Sequence, residues 1–430
     1  MTGLREYERD LSVPGLLGDG SIRLPESDEI LEWIGRWLVK EGAPSPCSAS
    51  ISHARWKPGV SCVGTWRIRF DDDSERIVVL KSYTGDKALE KAERGAAGTE
   101  RHFEDDRMLP FALLPELGAR LWTFPADRSL VGAARVMDAQ RSARLLDRLG
   151  VTSPWTTKGS LSVSKLLRYK PERRVVTQFS ARLHRPAPKP RMREFILRAL
   201  TPEESAVSAH ARATLHDAGA PSFVPMLLGH EATSGILVEE FVEGVARDPE
   251  DFSAPEKVGG LLAQLHGLPI LGMVAPEYRP SKPSRLLDVD ASLLRMQPVA
   301  EPEPSGAVCW MHGDLHPDQI MEGPAGESYL MDMDALGVGD PAHDLASWIA
   351  DALACDQAST FEQASEGLLT GYLEGGGQVP RRSDLMRHTA SALQRRATGC
   401  LRRLEANAVE LARTRMERAW ELMGSSGGQA

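Results

Sequence analysis

Two aspartates eighteen positions apart, Asp314 and Asp332, are the residues best suited to chemistry in this chain. Asp314 follows the apolar run Val308-Cys309-Trp310-Met311, inside His312-Gly313-Asp314-Leu315-His316-Pro317-Asp318-Gln319. Asp332 closes a second apolar run, Tyr329-Leu330-Met331. If the two runs are strands folded back through Gly323-Pro324, both carboxylates reach one edge. Carboxylates held together repel, so such a site normally contains a cation or a shared proton. Magnesium suits it, because it takes hard oxygen ligands, keeps waters and completes its shell with substrate phosphates. That combination points to phosphoryl transfer, in which one Asp accepts or orients an attacking hydroxyl while a second, with an amide, holds metal.

These loops need a scaffold, and the pattern upstream supplies a β-rich one. Residues 28–40 set Ile30, Leu31, Ile34 and Leu38 at helical spacing, with Ser27 as cap. Strands are predicted over 51–56 and 62–70 around the turn Lys57-Pro58-Gly59. A third runs over 76–81 after Asp71-Asp72-Asp73, and a charged helix over 86–96. About 113 residues later the grammar returns: Arg55-Trp56-Lys57-Pro58 reappears as Arg168-Tyr169-Lys170-Pro171. Ile77-Val78-Val79-Leu80-Lys81 then corresponds to Glu194-Phe195-Ile196-Leu197-Arg198, and each copy leads into a helix, the second over 203–216. Duplication and a chance likeness of two short meanders both fit.

Two further strands, over 224–228 and 235–241, end at Glu243-Gly244. Downstream, helices are predicted over 255–266, 288–296, 361–372 and 384–423, and the Pro-rich stretches 185–190 and 298–304 read as loops. Strands followed by helices make an α+β fold rather than alternating βαβ units. The expected division is an N-terminal arm over 1–25, an α+β domain over 26–150 that is a second N-lobe or cap, a nucleotide-binding lobe over 151–243 and a helical lobe over 244–425.

The chain has 430 residues, 42% hydrophobic and 26% charged, with a net charge of −9. That is ordinary globular composition with room for two or three cores. The acidic balance argues against nucleic acid as a partner, although residues 381–423 hold ten Arg against five Asp and Glu. Five scattered cysteines without a CxxC pair read as reduced thiols. No apolar run is long enough for a membrane span, and the start MTGLREYERD is charged where a signal peptide is apolar, so a cytoplasmic protein is expected.

Taken in order, His312-Gly313-Asp314 with an amide five residues on, Asp332, and Gly339-Asp340-Pro341-Ala342-His343-Asp344-Leu345-Ala346 resemble the aminoglycoside phosphotransferase and choline-kinase-like branch of the protein-kinase-like fold. That family carries HGDxxxxN, an Asp after a short hairpin, and GDPxxDLA. Ile236 to Gly244 looks like its hinge, and Leu261-Leu262-Ala263-Gln264-Leu265-His266 like the first helix of its C-lobe. The likeness spans roughly residues 160 to 375. It implies a two-lobed fold and an ATP- and Mg2+-dependent kinase acting on a small-molecule hydroxyl, as antibiotic and sugar kinases do. Asp314 becomes the catalytic Asp, Gln319 and Asp332 the metal ligands, and backbone groups of Glu240 and Val242 the adenine partners. Arg198 and the turn bearing Lys170, Arg173 and Arg174 would steady the phosphates.

The departures leave alternatives open. Gln319 stands where the family has Asn, and Arg198 where it has the phosphate-binding Lys, which Arg replaces in charge but not in shape. Lys81 is then either solvated surface or the true phosphate ligand. His312 reads as a brace for its loop rather than a base. Asp340 either caps the next helix or supports the catalytic loop. The Arg pairs at 395/396 and 402/403 are an outer charged face or an approach for an anionic substrate. A peptide Ser/Thr kinase in a biosynthetic pathway and a nucleotide-binding scaffold without turnover are the competing functions.

Overall fold

The computed structural model describes residues 24–57, 59–96, 103–184, 191–270, 298–300, 302, 306–405 and 407–426. Residues 1–23 of the expected arm, the 185–190 loop and the helix expected over 288–296 lie outside these.

The chain opens with helix α1 (Ser27–Trp37), which starts at Ser27 itself; Glu26 precedes it and no side chain caps it. Ile30 and Ile34 are its buried stripe. Strands β1 (Pro46–Lys57), β2 (Ser61–Phe70) and β3 (Glu75–Tyr83) are followed by helix α2 (Ala88–Ala96), then β4 (Phe111–Leu114) and β5 (Ala119–Thr123). All pair antiparallel in the order β1-β2-β3-β5-β4.

After α3 (Ala133–Met137), α4 (Ala139–Arg148) and the short β6 (Thr156–Thr157), a second sheet repeats this plan. It is built from β7 (Val163–Lys170), β8 (Arg174–His184), β9 (Arg191–Ala199), helix α5 (Pro202–Asp217), β10 (Leu227–Glu231) and β11 (Ile236–Glu240). β7 pairs with β8, and the order runs on through β9, β11 and β10. In both sheets the third strand therefore pairs with the fifth and the fourth forms the far edge. Alternate residues of β8 (Val175, Thr177, Phe179, Ala181, Leu183) are buried, as a strand with one covered face requires. Their cover includes Leu130, Val136, Leu145 and Leu146, so α3 and α4 pack on the second sheet. The expected 26–150 domain includes the residues of these helices, whose apolar side chains share the second sheet's core.

The helical lobe begins with β12 (Val245–Ala246) and α6 (Pro255–His266) and continues with β13 (Cys309–Met311), β14 (Ile320–Glu322), β15 (Ser328–Leu330) and β16 (Gly337–Gly339). It ends with α7 (Ala342–Ala354), α8 (Phe361–Glu374), α9 (Arg382–Arg403) and α10 (Ala408–Ser426). Trp310, Trp348, Leu262, Leu368 and Leu393 share its core. The helix expected over 384–423 is two helices, because Leu404 (φ 53°) and Asn407 (φ 55°) adopt left-handed backbone that ends α9. Leu404 points into the first domain's core beside Ile30, Trp56 and Trp66. A β-rich lobe followed by a helical lobe, preceded by a domain of the same strand order, is the α+β architecture expected. Among the described residues no helix is long and apolar enough to cross a membrane.

Candidate active site

Two loops of the helical lobe form the centre of the site. The first, 312–319, leaves β13, and the second, 331–335, leaves β15. The strands that carry them are not each other's partners, contrary to the hairpin expected: β13 pairs with β16, and the hairpin is β14–β15. Hydrogen bonds bring the loops together instead. The His312 ring nitrogen Nε2 lies 2.7 Å from the Met331 carbonyl, and Met331 N–H donates to the Gln319 carbonyl at 2.7 Å. His312 is fully buried and braces the loop. Gly313 takes φ +83°, a turn that a side chain would strain, and delivers Asp314 to the surface.

The anchor of the first loop is Asp344, on the first turn of α7. Its buried carboxylate accepts from His312 N–H at 2.7 Å and Gly313 N–H at 2.8 Å, with His266 Nε2 3.2 Å away. Burial works to raise its pKa, but His266, by hydrogen bond and charge, takes it down to about 2. Asp340 accepts from Ala342 N–H at 2.9 Å at the start of α7. Sequence reading left Asp340 between capping this helix and supporting the loop; the loop's backbone N–H groups are held by Asp344, with His266 beside it. The signal available was the second Asp of GDPxxD.

Asp314 itself has its side chain 70% exposed, open to an incoming molecule, with His316 Nε2 at 3.9 Å. His316 also pairs with Asp318. Burial alone would lower the His316 pKa, but Asp318 outweighs it and the pKa is raised. Gln319 is buried, with its amide nitrogen 3.1 Å from His316 Nε2.

Asp332 sits at the junction of the lobes in left-handed backbone (φ 57°). Its Oδ1 accepts from Arg174 at 2.6 Å and from Arg198 at 2.8 Å. Asp334 accepts from the same two guanidiniums, from Arg174 at 2.8 Å. Burial pushes the Asp332 carboxyl up, but Arg198 and Arg174 more than offset it and hold the carboxyl well below the usual range. Arg198 also lies 3.6 Å from Glu239 on β11, which Arg212 of α5 holds at 2.5 Å. The helix thus offers an arginine and the neighbouring strand the carboxylate. Sequence reading left Asp334 as either a supporting or an exposed residue and missed Glu239 and Arg212; Glu239 stands two residues beyond Leu237, the register partner of Arg198.

The other expected residues fall on two edges of this lobe. Glu240 ends β11 with its N–H donated to the Met226 carbonyl at 2.9 Å, and Val242 follows, buried. Lys170, Arg173 and Arg174 flank the β7–β8 turn, where burial and then the charges of Arg174 and Arg168 bring Lys170 down to about 7. Lys81 is committed elsewhere, at 2.6 Å from Glu172 in that turn. Arg120 and Arg55 reach the same carboxylate at 2.9 and 3.4 Å. The register explains this convergence: Arg55, Val63, Lys81 and Arg120 stand opposite one another across four strands of the first sheet. Glu172 N–H and Tyr169 O–H both donate to Asp127, at 2.7 and 2.8 Å.

Asp332, Asp334 and Gln319 offer the hard oxygen donors that magnesium takes. Asp334 Oδ1 is buried with no hydrogen-bond partner, an acceptor suited to a cation. Among the described residues no group of three His, Cys, Asp or Glu gathers for a metal.

The description "phosphotransferase enzyme family" matches residues 165–386, just over half of the chain. No curated protein matches the sequence. Among solved structures, the chain is similar to an ethanolamine kinase of Plasmodium vivax at 12% identity and TM-score 0.43, over 62% of this chain and 84% of that one. It is similar to a choline kinase of Streptococcus pneumoniae at 14% and 0.42, over 66% and 99%. A macrolide 2′-phosphotransferase of Brachybacterium faecium gives 20% and 0.40, over 64% and 97%.

Proposed function

Because the chain belongs to the phosphotransferase enzyme family, we propose that it moves the γ-phosphate of ATP to a hydroxyl of a small molecule. The observation that carries this reading is the pairing of an exposed Asp314 with a buried, doubly arginine-held Asp332 on two loops tied through Met331. Asp314 accepts or orients the proton of the acceptor hydroxyl, and its exposure leaves room for that molecule. Arg198 and Arg174, gathered on Asp332, are charged donors of the kind that phosphate oxygens accept from, and Lys170 adds a third basic group beside Arg174. The adenine end rests on backbone groups of Glu240 and Val242.

Asp332 and Gln319, with Asp334 beside them, would hold magnesium, which supplies charge neutralisation on the transferred phosphoryl group. Asp344 and His266 keep the 312–319 loop in register with it.

The test is thermal unfolding with a non-hydrolysable ATP analogue across a magnesium series, followed by a mass-spectrometric search for phosphorylated products in a panel of hydroxyl compounds and peptides. Magnesium-dependent stabilisation with a phosphorylated small molecule supports the reading. Absence of stabilisation at every magnesium level would sink it in favour of a scaffold, and products confined to Ser- or Thr-containing peptides would move the acceptor to a polypeptide.

A further inference from the structure

Basic side chains collect beside the catalytic cleft, where the first domain meets the β7–β8 turn. His53, Arg55 and Lys57 alternate along β1 and so share one face of the strand. Arg55 reaches Glu172 at 3.4 Å, which sets that face against the turn carrying Lys170 and Arg173. Glu172 is already shared by Lys81, Arg120 and Arg55. His53, Lys57, Lys170 and Arg173 make no ion pair among the described residues. The third side is the end of α9, seated in the first domain's core through Leu404, from which Arg402 adds its charge to that felt by Arg55.

The crowding is felt by the groups themselves. Burial, then the charges of Lys170, Arg55 and Arg173, drive His53 down to about 3, so at neutral pH its ring is an uncharged hydrogen-bond donor among these cations. Like charges gathered this way raise the free energy of the folded chain, and an anionic ligand relieves it. The nucleotide phosphates have their own cations in Arg174, Arg198 and Lys170. The three β1 residues, by contrast, lie outside the segment 165–386 that matches the family.

We propose that the β1 face bearing His53, Arg55 and Lys57, completed by Arg173 of the turn, is an anion subsite that holds a phosphate or carboxylate group of the acceptor. The acceptor is then an acidic small molecule, gripped by the first domain while its hydroxyl meets Asp314. This rests on the phosphotransferase reading of the neighbouring site.

Inorganic phosphate is the probe, titrated calorimetrically into protein saturated with magnesium and a non-hydrolysable ATP analogue. The wild type is compared with the double variant His53→Gln/Lys57→Gln, with thermal unfolding as the check on folding. Saturable phosphate binding alongside the analogue, weakened at least tenfold in the variant while the analogue's own affinity stays within twofold, is the expected result. Unchanged phosphate affinity in the variant overturns the subsite. Complete displacement of phosphate by the analogue also overturns it, since the basic face then serves the nucleotide. Should the analogue bind neither protein, the phosphotransferase reading fails by itself, and phosphate titrated into the protein alone still decides the subsite. In turnover, acidic acceptors should exceed their neutral counterparts at least tenfold in kcat/KM, and the double variant should erase that preference.

Discussion

Arg198 donates to Asp332 across 2.8 Å and so joins the third strand of the second sheet to the loop that follows β15. The bond spans both lobes, and both side chains are largely shielded from water. Replacing Asp332 by Ala leaves Arg174 with Asp334 and Arg198 with Asp334 and the more distant Glu239. Removing one partner of a buried pair typically costs about 3–5 kcal/mol, because the other charge stays desolvated. Chemical denaturation of Asp332→Ala should show a loss of that order, with a smaller one for Asp332→Asn. A change under about 1 kcal/mol, the scale of a surface ion pair, would mean that the clamp contributes little to the fold.

Asp314 makes the opposite prediction, since its side chain is exposed and packs into no core. Asp314→Asn should leave stability within about 0.5 kcal/mol of the wild type. Turnover should fall by roughly 10²–10⁴, the usual worth of a positioned general base, with the KM for ATP little changed. Steady-state kinetics beside a denaturation curve separates the two effects, and full turnover in the variant would remove Asp314 from the chemistry.

Asp344 should make stability depend on acidity in a narrow window. Its folded pKa of about 2 lies below the unfolded value near 3.8. The group therefore contributes its full stabilisation above pH ~4, and the contribution is lost as pH falls toward 2. That contribution is roughly 2–3 kcal/mol. The stability gap between wild type and Asp344→Asn, followed by denaturation at several pH values, should be flat above pH ~5 and shrink below ~4. A gap that grew on acidification would reverse the assigned direction.

Gln319 carries the test of the metal site. If its side-chain carbonyl is a ligand, Gln319→Ala should raise the magnesium concentration needed for half-maximal activity by about 10–100-fold, as loss of a supporting group at a metal site does. Gln319→Asn, one methylene shorter, should change the requirement less. Magnesium titrations of turnover at saturating ATP read this directly, and identical curves for all three proteins would assign Gln319 to its His316 contact alone.

Much of this was legible from local pattern. The motifs around Asp314, Asp332 and Asp344 mark the loops, alternation marks the strands, and the Lys57-Pro58 and Lys170-Pro171 turns announced two sheets that share one strand order. What stayed hidden depends on partners distant in the chain. Nothing near Asp332 signals that Arg174 and Arg198 converge on it, nor does anything near Lys81 signal Glu172, because those pairings follow from sheet register and from how one sheet sits on another. The placement of α3 and α4 was hidden for the same reason: a buried apolar stripe shows that a helix packs, but not which sheet it covers. The break in the C-terminal helix was equally invisible, since Leu is a good helix former and only its burial elsewhere turns it out of the helix.

Leu404 has a consequence for how the chain is made. Synthesis proceeds from the N-terminus, and domains generally fold as they emerge. The sheet of the first domain leaves the ribosome early, yet one wall of its hydrophobic interior arrives only with the last helices. Until then that apolar surface is open to solvent, so the nascent polypeptide should depend on chaperone protection for most of translation, and release from the ribosome before residue 404 should leave its N-terminal part aggregation-prone.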